Sequence, residues 1–272
     1  MGKDSYQKRV VRHLGEYKEQ RLGVREKGTF THRGTEREYR HILPRALRWL
    51  NIPEPFRMEV RQHIEASDHI KLHKNFDHLN SSQAFALALF VPYLLRAPDV
   101  IGKALGVHGF EQWDFEVVPN EDEGTNVDVW WSTRGQETYC EVKLSESEFG
   151  GATADKRHLD KLSRIYAPSL RGKVEDELLE PKSFFANYQI LRNLWLAARP
   201  GHEKDRVLFL FPEGNVAVGA QLDAVLEQVG PSMRPRVSVI HVEPLLARLA
   251  AVRSVDGLGW YAEMLVEKYV VR

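Results

Sequence analysis

Hydrophobic and polar positions alternate clearly between Asn126 and Leu144, NVDVWWSTRGQETYCEVKL. Side chains along a strand point to opposite faces with a period of two. Asn126 to Trp131 and Thr138 to Leu144 therefore read as two strands. The link between them, with Gly135 near its middle, reads as a hairpin turn. A turn centred on Arg134 and Gly135 sets Trp131 opposite Thr138, Trp130 opposite Tyr139 and Asp128 opposite Glu141. One face then carries Val127, Val129, Trp131, Cys140, Val142 and Leu144 and belongs in a core. The other carries Asp128, Glu141 and Lys143.

Upstream, Met1 to about Thr35 is charged and weakly periodic, which predicts a short helix followed by a mobile segment. Arg45 to Leu50 reads as a helical turn stopped by Pro53 and Pro55, and Phe56 to Ile70 as a helix. Ser81 and Ser82 form an N-cap for Gln83 to Leu95. That helix is apolar almost all round, so it is expected to be buried against a sheet. Val100 to Leu105 predicts a short helix, and Asp114 to Pro119 an edge or first strand.

Downstream, Leu159 to Ile165 has a helical pattern. Ser183 is placed to cap a long helix, Phe184 to Ala198, with the apolar stripe Phe184, Tyr188, Leu191, Trp195 and Ala198. Gln189, Arg192 and Asn193 share another face of it. Arg206 to Phe211 and Arg236 to Val242 are continuous apolar runs, the pattern of strands covered on both faces. Val216 to Val229, Glu243 to Val252 and Trp260 to Val271 read as helices. The order predicts an α/β fold with a mixed sheet: a hairpin at one side, then parallel strands added through helical crossovers.

At 272 residues, 43% hydrophobic and 28% charged, the chain can bury a large core. The longest apolar run, Ala84 to Leu95, is too short for a membrane span and contains Pro92. The N-terminus lacks the apolar core of a signal peptide. One cysteine, Cys140, excludes an internal disulfide framework and a cysteine zinc site, and a cytoplasmic location is the expectation. The formal net charge is +0, yet it is unevenly spread. Met1 to Lys74 holds 17 Lys and Arg against 10 acids, and Glu111 to Phe149 holds 11 acids against two bases. A basic arm tracks phosphates and an acidic centre holds cations; an ordinary solvated helical surface explains the arm equally well. His69 and His73, four apart, have a metal-ligand spacing, but no Glu follows His69 as in a zinc-protease motif, and surface or packing histidines are the expectation.

Like charges directly opposed on a sheet destabilise it. A divalent cation between Asp128 and Glu141 removes that cost, because hard ions such as Mg²⁺ take carboxylate oxygens. The alternative is a solvated strand pair whose Lys143 neutralises both acids.

An Asp on one strand followed by Glu-x-Lys on the next, here Asp128 and then Glu141-Val142-Lys143, resembles the PD-(D/E)XK nuclease superfamily. Val127 stands where the superfamily often has Pro. His78-Leu79-Asn80-Ser81-Ser82-Gln83-Ala84, Phe149-Gly150, and Tyr188-Gln189 with Arg192-Asn193 resemble one branch of it, bacterial restriction-endonuclease-like proteins. The likeness spans roughly His73 to Phe211, with an echo at His41 to Pro44. Asn193 stands where related nucleases with a helical Gln-x-x-x-Tyr have Tyr.

The resemblance implies a restriction-endonuclease-like core over residues 76–272, a mixed central sheet flanked by helices, with a basic, mostly helical region over residues 1–75. It implies Mg²⁺-dependent hydrolysis of DNA phosphodiester bonds, with Mn²⁺ as a substitute ion. Asp128, Glu141 and the backbone carbonyl of Val142 would ligate the metal, and Lys143 would serve the chemical step. Gln83, Gln189, Arg192 and Asn193 would support the site or contact the nucleic acid. A homodimer is compatible with double-strand cleavage, and no membrane partner is expected. The alternative from another class is a non-catalytic nucleic-acid-binding module that keeps the nuclease fold. A structural protein with no nucleic-acid partner is a third reading.

Overall fold

The computed structural model describes residues 5–32, 34–252 and 257–271. Of the N-terminal stretch read from sequence, residues 1–4 and 33 lie outside the described residues. The chain forms two compact units: Met1–Gly109 with Pro212–Gly214 and His241–Arg272, and Phe110–Phe211 with Asn215–Ile240. The boundary near residue 75 that the resemblance implies falls inside the first unit.

The first unit opens with α1 (Tyr6–Gln20), capped by the Ser5 hydroxyl, which accepts from the N–H of Lys8. Strands β1 (Gly28–His32) and β2 (Thr35–Tyr39) follow as an antiparallel pair, Gly28 opposite Tyr39. The expected mobile segment is therefore a hairpin. Both strands are exposed along most of their length, so no alternation of apolar residues announces them. Residues Arg45–Asn51 form a 3₁₀ turn. Helix α2 runs only over Arg57–Glu65, shorter than the expected Phe56 to Ile70. Beyond it the Ser67 hydroxyl accepts from the Ile70 N–H and holds a turn. His69 and His73 consequently sit on no common helix face.

Helix α3 (Ser82–Arg96) has Ser81 as its N-cap and buries every residue from Ala84 to Leu94, as the apolar pattern requires. Helix α4 (Pro98–Leu105) begins with proline at its first turn and ends at Gly106 in the left-handed region.

The second unit holds β3 (Gln112–Val117), β4 (Val127–Thr133) and β5 (Gln136–Val142). Three short helices follow: α5 (Lys156–Lys161), α6 (Ala167–Leu170) and α7 (Pro181–Ala186). Then come α8 (Tyr188–Ala198), β6 (Arg206–Phe211), α9 (Val216–Leu226) and β7 (Val237–His241). The five strands form one mixed sheet in the order β3-β4-β5-β6-β7, antiparallel from β3 to β5 and parallel between β5 and β6. This is the α/β arrangement expected from sequence, a central sheet flanked by helices. The last two helices, α10 (Val242–Ala250) and α11 (Leu258–Tyr269), return to the first unit. No helix among the described residues is long and apolar enough to cross a membrane.

Two expectations are corrected here. The single helix Phe184 to Ala198 is two helices, α7 and α8, separated at Asn187, whose φ is −115° and ψ 28°. The Asn187 side chain donates to the Ser183 carbonyl at 3.1 Å and holds the break. Pro181 at the first helical position starts α7, so Ser183 lies inside the helix and does not cap it. Strand β7, expected to be covered on both faces, is the sheet edge; it is only half-buried, and Val239 is exposed.

The core that carries the sheet joins Phe184, Leu191, Leu194 and Trp195 from α7 and α8 to Val207, Phe209 and Phe211 of β6. The Trp195 indole N–H donates to the Ile165 carbonyl at 2.9 Å, and its ring stands edge-on to Tyr166. Trp195→Ala is expected to cost about 3–5 kcal/mol, the range for deleting a large buried aromatic. Urea unfolding measures it, and an unshifted midpoint would mean that the indole contributes no core packing.

Candidate metal centre

The hairpin register places the acidic residues. Thr133 pairs with Gln136, Trp131 with Thr138, Trp130 with Tyr139 and Val129 with Cys140. Arg134 and Gly135 form the two-residue link, with φ of 50° and 69°. Two successive positive φ values suit the right-handed twist of a hairpin. One step beyond the last paired residues, the register sets Asp128 opposite Glu141, as the sequence predicts. The Val142 N–H donates to Asp128 Oδ2 at 2.7 Å and ties the two strands together at that step.

This face of the hairpin is largely shielded from solvent, with Asp128 half-buried. Glu141 is 3% exposed and Lys143 8%, because α8 lies across the strands. Three donors hold the Glu141 carboxylate. Lys143 Nζ reaches Oε1 at 2.8 Å; Arg192 Nη2 and Asn193 Nδ2 each reach Oε2 at 2.9 Å. Asn193 also donates to the Gln189 carbonyl at 2.8 Å, the i−4 position of its own helix. Gln189 is seated differently. Its N–H donates to the Gly150 carbonyl at 3.3 Å, and its side-chain amide lies over the Gly150 Cα. Gly150 has φ +102°, and a Cβ there would stand 3.0 Å from Gln189 Cδ. Glycine at 150 thus allows both the turn and the close approach.

The structure therefore brings together Asp128, Glu141, Val142, Lys143, Arg192, Asn193 and, through Asn193, Gln189. Gln83 lies in the first unit. There its side chain donates to the Lys71 carbonyl at 2.9 Å and accepts from the His73 N–H at 2.8 Å, pinning that loop. The sequence pattern had put Asp128 and Glu141 on one face without a visible counter-charge beyond Lys143. Arg192 is that missing counter-charge.

Electrostatics separates the two acids. Desolvation, and then the neighbouring Glu141, push the Asp128 carboxyl up to about 8. Burial also opposes ionisation of Glu141, but Lys143 and Arg192 outweigh it and hold its pKa below the usual carboxylate range. Burial disfavours the Lys143 ammonium, yet Glu141 and Asp128 raise its pKa on balance. One acid of the pair is thus held ionised and the other held back from ionising, the arrangement expected of carboxylates crowded in a dry place.

The donor set suits a hard cation: two carboxylates on adjacent strands and the backbone beside them. Three polar atoms on α8 add a further observation. Arg192 Nε, Asn193 Oδ1 and Gln189 Oε1 are buried without a hydrogen-bond partner. Orphaned buried polar atoms are costly, and Arg192 and Asn193 bring theirs beside Glu141.

Glu137, His202 and Asp205 form a second group whose ligand atoms lie within 4.8 Å of one another. Sequence reasoning missed it, because Glu137 sits on β5 and the other two precede β6. Its members already satisfy one another: the Glu137 N–H donates to Asp205 Oδ1, and His202 Nδ1 lies 2.6 Å from Asp205 Oδ2. The Tyr139 hydroxyl donates to both carboxylates.

Residues 11–270 match a protein family described as "Restriction Endonuclease associating with ARP". No curated protein and no solved structure matches the chain.

Proposed function

Because the chain belongs to the family of restriction endonucleases associating with ARP, we propose that the second unit is a metal-dependent nuclease that hydrolyses DNA phosphodiester bonds. The observation that carries the reading is the pairing of Asp128 with Glu141 on one buried face, with Lys143 at 2.8 Å from Glu141. That pairing resembles the Asp and Glu-x-Lys arrangement of PD-(D/E)XK nucleases, and the resemblance supports the reading.

Asp128, Glu141 and the Val142 carbonyl would hold Mg²⁺, with Mn²⁺ as a substitute. Bound there, the ion supplies Lewis-acid polarisation of the phosphoryl group and a lowered pKa for a bound water. The chain's own residues do the rest. Lys143 carries a positive charge on the same face without offering an oxygen, so it stabilises charge that develops on the phosphate. Asn193 and Arg192 orient the Glu141 carboxylate. The basic residues of the first 75 positions meet backbone phosphates, contacts that position DNA without reading its sequence. Double-strand cleavage calls for two centres, which a homodimer would supply, and the association named in the family description makes ARP a second expected partner.

One observation favours a second reading. Lys143 and Arg192 both pair with Glu141, contacts that hold this face together by themselves, as in a nuclease fold retained only to bind nucleic acid. Incubating the pure protein with plasmid and linear DNA, in Mg²⁺ or in EDTA, separates the two. The nuclease reading expects cleavage that EDTA abolishes. DNA binding without cleavage under any divalent ion would favour the binding module, and no binding of DNA or RNA at low salt would sink both.

A further inference from the structure

Within the first unit, residues 41–43 run back along residues 77–79, just ahead of α3. The Leu43 N–H donates to the Asp77 carbonyl and the Leu79 N–H to the His41 carbonyl, on either side of a bridge between Ile42 and His78. This crossing gathers two histidines and a carboxylate. The His41 and His78 rings stand edge-on with centroids 6.1 Å apart. His78 Nε2 lies 3.9 Å from Asp77 Oδ1.

Packing alone leaves this group in deficit. Asp77 is 7% exposed, yet its Oδ1 has no hydrogen-bond donor, and no Lys or Arg among the described residues pairs with its carboxylate. A buried carboxylate without a counter-charge is costly. His78 does not supply that charge, because burial lowers its pKa and outweighs the pull of Asp77. His41 is 8% exposed, and its Nδ1 is buried without a partner. Burial pushes the His41 pKa down to about 4, so the ring is neutral at pH 7 and can offer a lone pair.

Two neutral imidazoles and a carboxylate are a ligand set for zinc and its neighbours in the transition series. Ligand atoms arranged tetrahedrally at about 2.1 Å from one ion lie roughly 3.4 Å from each other. The Asp77–His78 pair is within about half an ångström of that spacing, and a turn of the His41 ring adds the third ligand. The rings also carry the hairpin with them: Phe30 of β1 stands edge-on to His78, and Tyr39 of β2 edge-on to His41.

We propose that His41, Asp77 and His78 bind one divalent transition ion of the zinc class, which clips the β1–β2 hairpin to the segment leading into α3. The ion supplies the charge that Asp77 lacks and the partner that His41 Nδ1 lacks. All three residues belong to the first unit, so the site stands or falls apart from the nuclease reading.

The test is calorimetric titration of the chelator-stripped full chain with Zn²⁺, in excess Mg²⁺ to fill sites that prefer a hard cation. The expected result is one ion per chain and a raised thermal unfolding midpoint, since an ion bound by the native state alone stabilises it. His41→Gln and Asp77→Asn should each weaken binding at least tenfold, a loss that even a ligand's supporting partner can cause. His202→Gln, which alters the separate group around Asp205, should bind as the native chain does. Circular dichroism shows that each variant is folded; Asp77→Asn keeps the shape and removes a buried charge, so it folds even if His41→Gln does not. No Zn²⁺ binding by the native chain, or native affinity in folded Asp77→Asn, would overturn the site. Loss of the ion in His202→Gln would overturn it too, by placing the ion at Asp205.

Discussion

Lys143→Ala is expected to lower DNA cleavage by on the order of 10²-fold or more, the loss seen when a positioned transition-state donor is deleted, while Mg²⁺ and DNA binding persist. The expectation follows from where Lys143 sits. It shares a strand face with Glu141, two residues away, and its Nζ lies 2.8 Å from Glu141 Oε1. It offers no oxygen to an ion, so its removal acts on the chemical step. Glu141 keeps Arg192 and Asn193 on its other oxygen, so its orientation survives. Cleavage rates, calorimetric Mg²⁺ titration and DNA binding on one preparation decide the matter. Cleavage near the native rate would move the binding-module reading to first place.

The second large effect is on stability. Glu141→Ala strands two buried cations, Lys143 and Arg192, 8% and 3% exposed. Removing one partner of a buried ion pair costs about 3–5 kcal/mol, because the remaining charge has neither water nor a counter-ion. Glu141→Gln, which keeps the shape and one acceptor, should cost less. Both should lose cleavage, so the contrast isolates the ion pairs from the chemistry. Unfolding free energies from urea titration report it. If Glu141→Ala unfolds at the native midpoint, the buried contacts do not hold this face together.

Much of the centre was legible because it is local. The alternation from Val127 to Leu144 and a two-residue turn at Arg134 and Gly135 leave one register, and a slip by one residue would turn Val129 and Trp131 outward. Arg192 as a counter-charge was not legible, since it lies 51 residues from Glu141 on another element. Its spacing with Gln189 marked a helix face, and nothing local says which strand that face meets. The break at Asn187 was hidden by an apolar stripe that runs on through it. The β1–β2 hairpin was hidden for the opposite reason: neither face is buried enough to leave a pattern. β7 reads like β6 in composition, and only sheet order makes it an edge.

On the nuclease reading, Asp128 serves chemistry at the expense of stability. Its pKa is raised from 3.8 to about 8, so between those pH values the native state binds more protons at this site than the unfolded chain. Its contribution to stability is full below about pH 4 and is lost as pH rises to about 8. Asp128→Asn removes that loss and keeps an acceptor for the Val142 N–H. The decisive measurement is the unfolding free energy of native protein and Asp128→Asn from pH 4 to pH 9, with Mg²⁺-dependent DNA cleavage on the same samples. The account predicts that the variant gains stability over the native protein as pH rises while cleavage disappears. A variant that cleaves DNA at the native rate, or that loses stability relative to it across that range, would contradict it.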